Sequence, residues 1–158
     1  MQAKTHRSAD TPDRAAERLE KAALRYLTRR DRTEAQVRTY LERADAAPAV
    51  IATLLAQFRR RGYVNDAAYA VRWAGARLAQ RPMGRDRLEA ELAGRGFEPT
   101  TIVAALAQAY EGRNEQELAR TLLHARAGVR TQPKQAALLR RHGFDEEIIQ
   151  HLVGDQGP

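Results

Sequence analysis

The residues of this chain with most chemical reach are its arginines. Arg14, Arg18, Lys21, Arg25 and Arg29 recur at spacings of 4, 3, 4 and 4. On a helix turning by about 100° per residue, they share a stripe about 80° wide. Such a line of cations suits a phosphate backbone or an acidic protein groove. Ala15, Leu19, Ala22, Ala23 and Tyr26 fall on a neighbouring face and are candidate core residues. Glu17 and Glu20 lie off the stripe, with Glu17 placed to pair with Lys21 one turn on. A basic stripe alone is also what a solvated helix face looks like, so the other cations decide its meaning.

Arg29, Arg30 and Arg32 close the first helical segment, and Arg59, Arg60 and Arg61 close the third. Some of these complement the negative end of a helix dipole. Arginine nevertheless greatly outnumbers lysine, and its planar fork matches phosphate and carboxylate where lysine offers a point charge. Around "RPMG" stand Arg72, Arg77, Arg81, Arg85 and Arg87, with Asp86, Glu89 and Glu91 close enough in sequence to neutralise much of that charge. Pro82 and Gly84 make a tight connection between two helices there. These fifteen cations are the candidate binding residues, and the N-terminal stripe is the sharpest of them.

Other chemistries find little footing. There is no cysteine, hence no disulfide framework and no thiolate nucleophile or ligand. His6, His124, His142 and His151 have no metal-ligand spacing, so neither a metal nor another cofactor is expected. Asp145, Glu146 and Glu147 open a helix, where negative charge is stabilising without any catalytic role. No glycine-rich phosphate loop, nucleophile elbow or paired-carboxylate signature occurs, and the expectation is a protein that is not an enzyme. Tyr26, Tyr40, Tyr63, Tyr69 and Trp73 fit apolar helix faces or helix junctions and are expected to pack in the core.

These side chains must be positioned by helices. The apolar 43% of the 158 residues is mostly Ala and Leu, which lose little entropy in helices, whereas strands favour β-branched and aromatic residues. The net charge is +7, and residues 1–62 carry +6 of it, so a polyanionic partner would meet the first third. The run from Ala46 to Ala56 is too short to span a bilayer and is broken by Pro48. The polar start lacks the apolar stretch of a secretory signal, which leaves a cytoplasmic placement as the simplest expectation. Residues 1–12 are expected to form a mobile tail, and Gly154 to Pro158 a frayed end.

The pattern predicts helices over residues 13–30, 33–44, 47–61, 65–80, 84–95, 98–111, 114–128, 132–142 and 145–153. Thr33 with Gln36 and Asn114 with Glu117 have capping-box spacing. Asn65, Glu98 and Asp145 are expected N-caps, and Gly62, Gly96 and Gly143 are expected left-handed terminators. In "GFEPTTI" and "GFDEEII", Phe97 and Phe144 can staple onto Ile102 and Ile149, while "DAAPAVI" is a weaker copy of the same start. Leu41 to Leu92 is 51 residues, and Leu92 to Leu139 is 47, as is Gly96 to Gly143. Tyr26, Trp73 and Leu122 fall at comparable sites. A period of this length with three helices per copy signals a helical array, with units at 13–62, 63–111 and 112–154.

At these residues the chain resembles the RecX regulators. "ALRYLTRRDRTEAQVRTYLERA" looks like their first-repeat signature, and "RRRGYVNDAAYAVRWAGAR" resembles the arm joining repeats one and two. "GRDRLEAELAGRGF" and "LLRRHGFDEEIIQHLV" are similar to the second and third repeats, so the resemblance covers about residues 15–153. Asn65, where an acidic residue is common, and the uncharged Ala47–Ala49 loop depart from the pattern. The resemblance implies an all-α fold of three tandem three-helix, helix-turn-helix-like repeats in an elongated, curved array. It also implies a monomer that binds the RecA–single-stranded DNA filament and inhibits its growth, ATP hydrolysis and strand exchange. DNA repair, homologous recombination and the SOS response are the settings it implies, with double-stranded DNA as a further partner. The main alternative is a helix-turn-helix transcription regulator. That reading needs one helix with exposed base-reading side chains and a dimer interface, and no segment stands out in either respect. A plain helical scaffold for another protein is the third class.

Overall fold

A computed structural model describes residues 11–154, and every regular element among them is helical. In chain order these are α1 (Pro12–Thr28), α2 (Glu34–Arg43), α3 (Pro48–Arg60), α4 (Asp66–Gln80), α5 (Arg85–Gly94), α6 (Pro99–Ala109), α7 (Glu115–Ala125), α8 (Gln132–Arg141) and α9 (Glu146–Ile149). A single π-helical stretch, Gln150–Gly154, continues α9. The segments agree with those read from hydrophobic period and caps to within about three residues. Helix α1 begins at Pro12, inside the stretch assigned to a tail, because proline suits the first helical position. The rest of that tail and residues 155–158 lie outside the described residues, as does His6.

The chain divides into two compact units, Met1–Asn65 and Asp66–Pro158. In the first, Ala23 of α1, Val37 and Leu41 of α2, and Ile51, Leu55 and Phe58 of α3 form one core, with Val64 closing it. Thr33 is its buried polar residue, and burial is tolerated because its hydroxyl accepts from the Gln36 amide while the Gln36 side chain accepts from the Thr33 amide. The expected capping box is therefore complete. Tyr26 and Tyr40 stack with centroids 4.4 Å apart at the side of this core. Tyr63 departs from the core expectation. It is 50% exposed and meets Phe58 edge-on, because it directly follows the left-handed Gly62 that turns the chain away from α3.

The second unit holds two apolar clusters. Ala70, Ala74 and Leu78 of α4 pack with Leu88 and Leu92 of α5 and with Ile102, Ala105 and Leu106 of α6. Ala119 and Leu122 of α7 pack with Leu138 and Leu139 of α8 and with Ile149 and Val153 beyond. Phe97 and Phe144 are buried in the same clusters as Ile102 and Ile149, as the staple spacing requires. Asn114 accepts from the Gln116 and Glu117 amides, and Asp145 from the Glu147 amide. Glu98 does not cap α6, contrary to the sequence expectation. Its carboxylate is one methylene further from the backbone than that of Asp145 and lacks the short reach that N-capping rewards, which leaves Pro99 as the start signal.

The two clusters meet at a pair of glycines. The Gly84 amide donates to the His142 carbonyl at 2.9 Å. A Cβ on Gly84 would lie 2.0 Å from the Gly143 carbonyl oxygen, and one on Gly143 would lie 2.2 Å from the Arg87 amide nitrogen. Gly143 has φ +74°, so it is both the left-handed terminator of α8 and a point of close backbone approach.

Candidate nucleic-acid interface

Helix α1 carries the N-terminal stripe as expected. Arg14, Arg18, Lys21, Arg25 and Arg29 are all exposed, while Ala23 is fully buried and Leu19, Leu24 and Leu27 pack against the core. Among the described residues, Arg14, Lys21, Arg25 and Arg29 form no ion pair, whereas Arg18 has an interaction of its own. The expected pair of Glu17 with Lys21 does not form. Both side chains are exposed, where holding two flexible chains together gains little. Glu17 instead lines, with Asp13 and Glu20, a shallow groove over Val50 and Leu54.

The other candidates in this unit divide. The Arg32 guanidinium lies 4.0 Å from the Tyr26 ring centroid, on a ring that Tyr40 stacks, so much of its work is local packing. Arg59 pairs with Glu34 at 3.3 Å, and Arg61 with Glu20 at 3.2 Å. Arg30 and Arg60 are exposed. Arg30 and Arg60, like Arg14, Lys21, Arg25 and Arg29, form no ion pair among the described residues.

Around the connection of α4 to α5, ion pairs absorb part of the charge. Arg77 forks onto Glu91 through Nε at 2.6 Å and Nη2 at 3.2 Å, and Arg87 adds a bond to Glu91 at 2.9 Å. The hydrogen bond from Arg77 holds the Glu91 carboxyl below the usual carboxylate range, against the opposing pull of desolvation, and Arg87 lowers it further. Arg85 reaches out of the expected patch to Glu115, on α7, and lies 4.5 Å from the Tyr110 ring centroid. Tyr110 is buried, and its hydroxyl donates to the Met83 carbonyl at 2.9 Å. Burial raises its pKa above the ordinary phenol value, with Glu115 adding to the rise. Arg72 and Arg81 are exposed, and Arg72 has an interaction of its own. Asp86 and Glu89 form no ion pair among the described residues, so Glu91 alone supplies the neutralisation expected of all three.

Sequence spacing did not single out two further arginines. Arg126, the residue that caps the C-terminus of α7, and Arg141, at the end of α8, open onto one cleft of about 240 Å³ with Arg81 and with Arg77, Arg87 and Glu91. The signal available was the Arg140–Arg141 pair just before Gly143, but that pair reads equally as a helix-dipole complement. No group of three or more His, Asp or Glu among the described residues is arranged to hold a metal. No helix among them is long and apolar enough to cross a membrane.

A family model for the first three-helix domain of RecX matches residues 21–58, and one for the second three-helix domain matches residues 65–106. The regulatory protein RecX of Thermobifida fusca is 35% identical, with 84% of this chain aligned to 75% of that one. The regulatory protein RecX of Trichlorobacter lovleyi is 32% identical, over 83% of this chain and 90% of that one. The crystal structure of RecX from Lactobacillus salivarius superposes with a TM-score of 0.78 over 89% of this chain and 96% of that chain, at 22% identity, which is a likeness of fold.

Proposed function

The chain belongs to the RecX family of regulatory proteins, and from that premise we propose that it is a negative regulator of RecA. In this reading it binds the RecA–single-stranded DNA filament and inhibits filament growth, ATP hydrolysis and strand exchange, acting by occupancy and not by catalysis. It works as a monomer in the cytoplasm, in recombinational repair and the SOS response, with double-stranded DNA as a secondary partner. Its organisation is three repeats bounded at 13–62, 63–111 and 112–154.

The observation that carries the reading is the α1 stripe, in which Arg14, Lys21, Arg25 and Arg29 are exposed and form no ion pair among the described residues. A filament groove combines phosphate with acidic protein surface, and a rigid row of cations one helical turn apart meets both. If Arg14, Lys21, Arg25 and Arg29 each neutralise one phosphate, the affinity for a single strand should fall with a log–log salt slope of about −3. Between 50 and 200 mM salt that is a loss of about fifty-fold.

The test is RecA's ATPase on single-stranded DNA, titrated with this protein at several salt concentrations. The expected result is inhibition that saturates at low salt and moves to higher concentration as salt rises. Full ATPase activity at a several-fold excess of the protein over RecA, in low salt, would overturn the reading.

A further inference from the structure

Three arginines of the second unit come from three different places in the chain and share one cleft. Arg81 follows α4, Arg126 follows α7 and Arg141 ends α8. All three are exposed, and among the described residues none forms an ion pair. The cleft's single carboxylate is Glu91, which is already engaged by Arg77 and Arg87. Five arginines therefore line the cleft with one carboxylate. Elsewhere in this unit Arg85 has Glu115 and Arg140 has Glu146, while Arg113, Arg120 and Arg130 stand singly on the surface and, among the described residues, share no cleft with one another.

Two features make this more than a basic patch. The walls are joined by backbone, because the Gly84 amide bonds the His142 carbonyl and the two glycines, lacking Cβ atoms, let the backbones approach this closely. The Arg77–Glu91 fork holds a further wall, with Glu91 only 17% exposed. Gathering like charges on a rigid frame is unfavourable unless an anion compensates them. A volume of about 240 Å³ is smaller than the pockets that take drug-sized molecules, yet it has room for several water-sized groups. It has room for one or two tetrahedral oxyanions. Arginine forks match the spacing of phosphate oxygens.

We propose that the cleft between α4–α5 and α7–α8 is a phosphate site, taking a compact, highly charged anion of the pyrophosphate type. Its ligand comes either from free polyphosphate or from the phosphates of a nucleic-acid strand. The site goes beyond the RecA reading, which is carried by α1, and its first test contains neither RecA nor DNA, so each can fail without the other.

The experiment is calorimetric titration of the whole chain with inorganic pyrophosphate at 150 mM salt, with sulfate as the weaker-charge control. Saturable binding of one pyrophosphate per chain is expected, at least tenfold tighter than sulfate. The Arg81→Gln, Arg141→Gln double variant should weaken it at least tenfold, and Arg14→Gln, Arg25→Gln by less than twofold. Circular dichroism controls for folding. Arg126→Gln, which lies apart from the glycine contact, gives an independent loss in the same direction. A second arm adds a dT oligonucleotide: competition with pyrophosphate assigns the ligand to strand phosphates, and absence of competition assigns it to the free anion. No saturable binding at millimolar pyrophosphate would overturn the proposal. So would equal weakening by the α1 and cleft variants, which would reduce the effect to net charge.

Discussion

Replacing Gly143 with alanine separates backbone strain from close approach. The residue sits at φ +74°, and its new Cβ would lie 2.2 Å from the Arg87 amide nitrogen and 2.5 Å from the Arg87 Cβ. The left-handed conformation costs alanine about 1–2 kcal/mol. Backbone atoms cannot rotate away as a side-chain tip can, so α5 must shift by more than an ångström, at about 1–3 kcal/mol by analogy with overpacked cores. The shift also breaks the bond from the Gly84 amide to the His142 carbonyl, worth about 0.5–1.5 kcal/mol. The expected loss is therefore about 3–6 kcal/mol. Two companions divide this sum. Gly112, at φ +67° with no atom within 4 Å of its virtual Cβ, should lose only the strain, about 1–2 kcal/mol, when changed to alanine. Gly84 has φ −82°, so Gly84→Ala carries the contact without the strain and should lose about 2–4 kcal/mol. The gain from stiffening the unfolded chain is common to all three and cancels in the comparison. Urea unfolding followed by Trp73, the only tryptophan, reads this unit because the ring packs on the α4–α6 cluster. Equal losses for Gly143→Ala and Gly112→Ala, within about 0.5 kcal/mol, would refute the argument that the glycine pair holds the two clusters together.

The remaining expectations are shorter. Phe97→Ala and Phe144→Ala, at rings 5% and 3% exposed, should each destabilise by about 3–5 kcal/mol in the same urea assay. Wild-type midpoints would mean the staples are not part of the core. Tyr110 has a raised pKa, so the unfolded chain releases its proton first as pH climbs. Its contribution is present below pH ~10 and is lost as pH rises towards the folded value. Tyr110→Phe, which leaves the Met83 carbonyl without that donor, should lower neutral-pH stability by about 1–3 kcal/mol and flatten the alkaline decline. An unchanged alkaline slope would argue against its burial. Glu91 has a lowered pKa, so its contribution is present above the ordinary carboxylate range and is lost as pH falls. Glu91→Gln should be less stable at neutral pH and show a shallower acid decline in pH-dependent unfolding. A parallel decline would contradict the charge-assisted fork with Arg77.

Most of the helical fold is legible because local signals coincide. Proline at the start of α3 and α6, the Thr33 box and the left-handed glycines at 62, 96 and 143 each mark a boundary independently of hydrophobic period. The α1 stripe was legible for the same reason, since one face of one helix is settled by sequence spacing. The cleft was not. Arg81, Arg126 and Arg141 lie 45 and 15 residues apart, and what brings them together is the Gly84–Gly143 approach, which no periodicity encodes. Partner choice escaped spacing too. Arg85 lies one residue from Asp86 and six from Glu91, yet it pairs with Glu115, thirty residues on, because α7 presents that carboxylate beside Tyr110. Glu98 misled because proline and phenylalanine framed it like a cap, while its own chain length disqualified it.

The most direct test of the regulator reading is a charge reversal on α1, Arg14→Glu, Lys21→Glu, Arg25→Glu, assayed for inhibition of RecA's ATPase on single-stranded DNA. All three side chains are exposed, and glutamate is a good helix former, so helicity by circular dichroism should stay near wild type. Reversing three contacts turns attraction to phosphate and acidic protein into repulsion, and the concentration for half-inhibition should rise by more than tenfold. The matched glutamine set should fall between the two. A folded triple reversal that inhibits at wild-type concentrations would contradict the claim that α1 is the surface through which this chain acts on the filament.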